Sequence, residues 1–204
     1  MKLYYAPGAC SLGIHVLLEE IGKPYETERA VLQAPPSERP LTKVNPKSKV
    51  PTLIRDDGSV LTEFGAIATY LARTNPDKHL LPSDVEGEVR ALETMDYCVG
   101  TVHMQGFARL FRPGNYSPNE ADQEAVKARG RELIEKGYEL LDQRMNGRDY
   151  AVGPFSVADA ALFYVEFWGA GRMGMQLPSA LAAHYERMKA RPAVATTLKA
   201  EGFA

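Results

Sequence analysis

Cysteine is nearly missing from this sequence: Cys10 and Cys98 are the only two among 204 residues, and they fall in different halves of the chain. That excludes a disulfide framework, and without a CxxC pair no dithiol/disulfide cycle can be completed within the chain. Histidine is sparse and scattered (His15, His79, His103, His184), with no HxxxH and no carboxylate-rich neighbourhood, so no metal site is expected. No apolar run approaches the roughly 18 residues that cross a bilayer, and the opening MKLYYAPGACS holds one lysine and no apolar stretch of a signal peptide. The expectation is a cytoplasmic protein with no membrane partner. An excess of one charge is absent as well: 24 basic side chains against 26 acidic ones leave a formal net charge of -2. With no long-range field of either sign, nucleic acid is not an expected partner.

What is present is an ordinary globular composition, 45% hydrophobic and 25% charged, in a chain long enough to bury a substantial core. KLYY is a short strand, SLGIHVLLEEIG a helix, and YETERAVL a second strand. In the helix Ile14, Leu17, Leu18 and Ile21 recur on one face, and Gly22 stands at the stop. After the Pro-rich connection QAPPSERPLTKVNPKSK, the segments VPTLIR and SVLTE form a hairpin across DDG, and FGAIATYLART is a helix ended by Asn75-Pro76. The order βαβαββα predicts a thioredoxin-like α/β domain over residues 1–77. Residues 78–86 form a linker and the start of a long helix. Residues 87–204 read as an all-helical domain, with helices expected at 84–111, 119–145, 156–170, 178–190 and 193–200. The clearest start among them is FSVADAALFYVEF, where Ser156 and Asp159 make a capping box and Phe155 is placed as a hydrophobic staple.

Cys10 falls where the first strand gives way to the first helix, facing unpaired N–H groups and the positive end of the helix dipole, both of which favour a thiolate. The competing explanation is a small buried hydrophobe. Any redox work by this lone thiol needs an external thiol partner. Val50-Pro51 stands at the entry of a strand, where a proline is either trans and simply starts the strand, or cis. In the cis case the N–H and C=O of Val50 are left for an extended peptide. Glu63 and Phe64 open the following helix, so Glu63 can meet a ligand's ammonium while the helix N–H groups meet its carboxylate; a solvated glutamate is the alternative. On the long helix Val89, Leu92, Asp96, Val99, His103, Gly106 and Leu110 share one stripe, an apolar face interrupted by Asp96 and His103.

YYAPGACS, NPKSKVPTL and LTEFGAIATYLA, in this order and followed by a helical half with FSVADA, resemble a cytosolic glutathione transferase, most closely the bacterial beta class. The resemblance spans essentially the whole chain. It implies a homodimeric detoxification enzyme that joins the thiolate of glutathione, its co-substrate, to small hydrophobic electrophiles, with no prosthetic group. It places Cys10 beside the glutathione sulfur, with Ser11 as a rival thiol contact and His103 nearby. Val50 becomes the main-chain partner of the cysteinyl unit, Pro51 the cis proline, and Glu63 with the backbone of Phe64 the grip on the γ-glutamyl end. Asp96 would reach the neighbouring subunit's glutathione, and Lys49, with Lys47, would add positive charge. The electrophile would lie between the loop at Pro7 and the aromatics Phe107, Phe111, Tyr116 and Trp168. Cys10 could also exchange with glutathione disulfide. The rival expectation is a glutathione-binding protein of the same fold with little turnover, acting in ligand binding or stress regulation.

Overall fold

The computed structural model describes residues 1–145 and 147–203. Strand β1 (Lys2–Tyr5) lies inside a four-stranded sheet of order β2-β1-β3-β4. It pairs in parallel with β2 (Glu26–Arg29) and antiparallel with β3 (Thr52–Ile54), which continues through a turn into antiparallel β4 (Val60–Thr62). A parallel pair needs a crossover, and α1 (Ser11–Ile21) supplies it. Its stop is the one read from the sequence: Gly22 turns left-handed at φ 71° and its N–H bonds the Leu18 carbonyl. Helix α2 (Phe64–Thr74) returns beside α1, so Leu3 and Leu53 of the sheet are covered by Leu17, Ile67 and Leu71.

The middle helix of the expected βαβαββα order is reduced to two 3-10 turns, Pro36–Glu38 and Pro40–Lys43. Prolines at both turns withhold the donors an α-helix would need. This irregular segment still does a helix's work, because Leu41 covers Tyr4 and Ala30 in a second, smaller core on the other face of the sheet.

The long helix predicted over 84–111 forms, but not as a uniform α-helix. It runs as α3 (Val85–Asp96), capped by the Asp84 carboxylate on the Gly87 N–H at 2.8 Å, then in π-helical form over Tyr97–Phe107, then as the short α4 (Ala108–Phe111). The wider turn changes which residues face inward. Ala91, Met95, Cys98, Val102 and Phe107 are buried, whereas Val89 and Asp96 of the predicted stripe are exposed and His103 is half-buried. The stripe is therefore only partly inward: Gly106 is buried and Leu92, Val99 and Leu110 pack on the core, while Val89 and Asp96 face solvent. Helix α5 (Gln123–Met145) packs close to this long helix because glycines thin the contact: a side chain at Gly106 would meet Ile134 at 2.6 Å, and one at Gly130 would meet the Gly106 carbonyl at 2.8 Å.

Helix α6 (Val157–Glu166) is buried along its whole length, and its capping box forms as expected, with Ser156 and Asp159 satisfying each other's backbone groups. It continues in π-helical form over Phe167–Arg172, two residues beyond the helix end expected at 170. Helices α7 (Ser179–Lys189) and α8 (Pro192–Glu201) complete the chain, and α8 packs against α1. One continuous core thus runs from Leu3 of the sheet to Val194 of α8. Among the described residues no helix is long and apolar enough to cross a membrane.

Candidate active site

The turn between β1 and α1 is held from three sides. Ser11 Oγ accepts the Ala6 N–H at 3.2 Å and faces the Ala6 carbonyl at 3.4 Å. The Gly8 N–H, in a left-handed residue at φ 63°, donates to Glu201 Oε2 at 2.7 Å, while the Gly8 carbonyl accepts Trp168 Nε1 at 2.6 Å and Arg172 at 3.4 Å. The other Glu201 oxygen lies 2.8 Å from Nδ1 of buried His15. Ser11 was a candidate thiol contact, and the structure argues against it: the side chain is fully buried and its hydroxyl is engaged in closing the turn.

Cys10 immediately precedes α1 and its Sγ donates to the Val50 carbonyl at 3.3 Å. The residue keeps some solvent contact. Even so, loss of hydration around the sulfur outweighs the N–H groups of the helix start and the positive charge of Arg112, and pushes the thiol up to about 12. The helix-start argument for a thiolate is thus overturned by burial. Cys10 is a neutral thiol at physiological pH, a hydrogen-bond donor more than a nucleophile.

The Val50-Pro51 bond is cis, the alternative that exposes backbone. The Val50 carbonyl receives the Cys10 thiol, and the Val50 N–H has no partner among the described residues. Glu63 occupies a left-handed conformation (φ 73°) immediately before α2, an uncommon geometry for a residue other than glycine. Its carboxylate is exposed and paired with Lys47 Nζ at 2.6 Å. Phe64 is only 4% exposed and packs on Tyr164 with ring centroids 5.3 Å apart, so its side chain belongs to the core and only its backbone N–H faces outward with the other free donors of the helix start. A cleft of about 440 Å³ opens at this helix start, lined by Glu63, Phe64, Gly65, Thr69, Asp96 and Val99. Asp96 borders it from its own chain: Oδ1 lies 3.6 Å from where a side chain at Gly65 would begin.

His103 stands on the π-helical stretch with Nδ1 3.3 Å from the Tyr164 hydroxyl and its ring edge-on to Trp168 at 4.7 Å. Burial, then the positive charges of Arg112 and Lys49, hold the imidazole down at about 4, so it is neutral. The fully buried Tyr164 has no other hydrogen-bond partner among the described residues, so its O–H must donate to Nδ1 to be satisfied. That assignment leaves the ring proton on Nε2.

Trp168 also meets Phe107 and Phe111 edge-on at 5.3 and 5.4 Å, and those two rings stack at 5.6 Å. Phe107 and Trp168 are buried and form a wall; Phe111, at 48% exposure, is the edge open to solvent. Pro7 is half-buried next to the Gly8 carbonyl that anchors Trp168. Tyr116 does not join this group. It lies under Arg109 at 4.3 Å and donates to the Met104 carbonyl at 2.7 Å, and among the described residues no ring contact links it to the other aromatics. Two residues that the sequence did not single out belong here. Tyr164, inside an apolar helix, reads as ordinary core; Arg112 directly follows the aromatic run FARLF.

A thioredoxin-like sheet bearing a cis proline, a thiol at the first helix start and a helical half supplying a histidine and an aromatic wall define a glutathione transferase architecture. Residues 8–74 match the family model for the glutathione S-transferase N-terminal domain. The chain is 36% identical to the Escherichia coli O157:H7 glutathione S-transferase GstA over all of both chains. It superposes at a TM-score of 0.85 on a sphingomonad glutathione S-transferase complexed with glutathione (35% identity, all of both chains). A beta-class glutathione S-transferase of Sphingomonas chungbukensis gives the same TM-score at 31% identity, again over all of both chains. The chain belongs to the glutathione S-transferase family.

Proposed function

We propose that the protein conjugates reduced glutathione to small hydrophobic electrophiles. The observation that carries this reading is the Cys10 thiol on the Val50 carbonyl at 3.3 Å, beside the cis Val50-Pro51 bond. A peptide laid along Val50 brings its own sulfur to the start of α1. There the sulfur meets the backbone N–H groups of Cys10 and Ser11, the Cys10 S–H and the neutral His103, all of which can donate to a thiolate and lower its pKa. The γ-glutamyl end then reaches Glu63 and the N–H groups at Phe64, displacing or sharing Lys47. Lys49 adds positive charge to the site, and the electrophile sits against Phe107, Phe111 and Trp168 near Pro7.

In the reaction the glutathione sulfur forms a bond to an electrophilic carbon, the leaving group departs with its electron pair, and the thiol proton passes to solvent. The neutral state of Cys10 makes exchange with glutathione disulfide a slow side reaction. The proposal includes a cytoplasmic homodimer, with residues 1–77 as glutathione domain, 78–86 as linker and 87–204 as helical domain, and with Asp96 turned toward the partner's glutathione. Purified protein assayed with glutathione against aryl halides, epoxides and disulfides tests it. Saturable glutathione binding with no turnover above the uncatalysed rate on any of them would sink the transferase reading.

A further inference from the structure

The solvent edge of the aromatic wall carries cations with no carboxylate partner among the described residues. Arg112 directly follows Phe111, the exposed ring of the wall, and its backbone has left the helix at φ -142° and ψ 58°. The side chain is exposed, and its guanidinium has no hydrogen bond or ion pair among the described residues. Lys49 is exposed and its ammonium group is likewise unpaired, while Arg172 holds the Gly8 carbonyl that also receives Trp168. Glu63, a carboxylate that bears on Cys10, is paired with Lys47. The two charges that bear on His103 are both positive. An apolar ring entering against the exposed Phe111, backed by Trp168 and the buried Phe107, therefore finds an aromatic surface and a cationic edge.

We propose that the electrophile pocket selects aromatic substrates carrying a carboxylate or similar anionic group on the ring away from the reactive carbon, with Arg112 as the specificity-determining residue. The inference rests on the transferase reading above and narrows its substrate class. A guanidinium presents paired N–H donors that match a carboxylate, and its exposure keeps the desolvation cost of the pairing small. Lys49 is left for glutathione, whose glycine carboxylate needs a cation of its own.

The test compares 4-chloro-3,5-dinitrobenzoate with its methyl ester, two electrophiles that share ring and leaving group. In each, the glutathione sulfur bonds to the ring carbon, chloride leaves with its electron pair, and the thiol proton goes to solvent. Each kcat/KM is divided by the compound's uncatalysed rate with glutathione. The wild-type protein is expected to favour the acid, and Arg112→Gln to lower the acid-to-ester ratio about tenfold, the size of one lost charge-assisted pair. Added potassium chloride should lower the wild-type ratio and leave the variant's ratio flat. A wild-type preference for the ester, or a ratio that Arg112→Gln does not move, overturns the assignment of Arg112 while turnover of the ester keeps the transferase reading standing. Turnover of neither compound overturns both.

Discussion

At Cys10 two elementary effects oppose each other, and their sizes decide the chemistry. A helix start favours the thiolate by a few tenths of a kcal/mol to about 1 kcal/mol, whereas enclosing a sulfur anion in protein costs several times more. Cys10 should accordingly react with iodoacetamide at pH 7.5 more slowly than free cysteine, with a rate still rising at pH 10; mass analysis of the Cys10 peptide over pH 6–10 measures this, and fast alkylation at neutral pH would refute it. Its neighbour behaves differently. Ser11→Ala removes the hydroxyl that closes the first turn and should cost about 1 kcal/mol in urea unfolding without altering the pH dependence of kcat/KM. A changed kinetic pKa in that variant would restore Ser11 as a thiol contact. His103→Phe removes the proposed Nε2–H donor while keeping a ring against Trp168, so the pH at which glutathione turnover is half-maximal should move upward.

Among the elements, the long helix shows what a sequence pattern can and cannot convey. Its extent, the cap of its neighbour α6 and the Gly22 stop of α1 are local matters of propensity and end chemistry, and each stands in the residues themselves. The face it buries depends on turn width. The stripe from Val89 to Leu110 divides accordingly: Val89 and Asp96, in the α-helical part, face solvent, while over the π-helical Tyr97–Phe107 the inward residues are Cys98, Val102, Gly106 and Phe107. Tyr116 was misplaced for a related reason, since an aromatic beyond a helix end follows whichever carbonyl it can reach, here that of Met104. Proline position marked Val50-Pro51 as a place where a cis bond could fall but left cis and trans open, the cis form being implied only by the family resemblance, while Tyr164 and Arg112 came into view only through contacts distant in sequence. The close approach of α5 supplies a direct check: Gly130→Ala would push a methyl group into the Gly106 carbonyl, and roughly 1–3 kcal/mol of stability should be lost, seen as a lower Tm.

At the scale of the molecule the helical half encloses a charge cluster with no exposure to solvent. His184 lies between Asp159 at 3.2 Å and Glu166 at 2.9 Å, and the same Asp159 also caps α6. Burial works against a charged imidazole, yet Glu166 and Asp159 together outweigh it and raise His184 to about 10. A group whose folded-state pKa lies above its unfolded value stabilises fully below the unfolded pKa and loses that contribution as pH rises through the folded one. Burial likewise raises Glu166 to about 7, so both groups shift upward and the cluster's contribution to stability should fall as pH rises, His184's share from about pH 6.5 through its raised folded-state value. Urea midpoints measured from pH 6 to 10 should decline across that window, and a flat profile would mean that His184 is neutral throughout.

Glu201, near the end of the last helix, fixes both the Gly8 N–H and His15, and so shapes the loop beside Cys10 from 193 residues further along the chain. The loop leading into Cys10 is therefore shaped by a carboxylate of the helical half, not by its own sequence: a substitution at Glu201 would disturb the turn at Gly8 while leaving every residue of that turn unchanged.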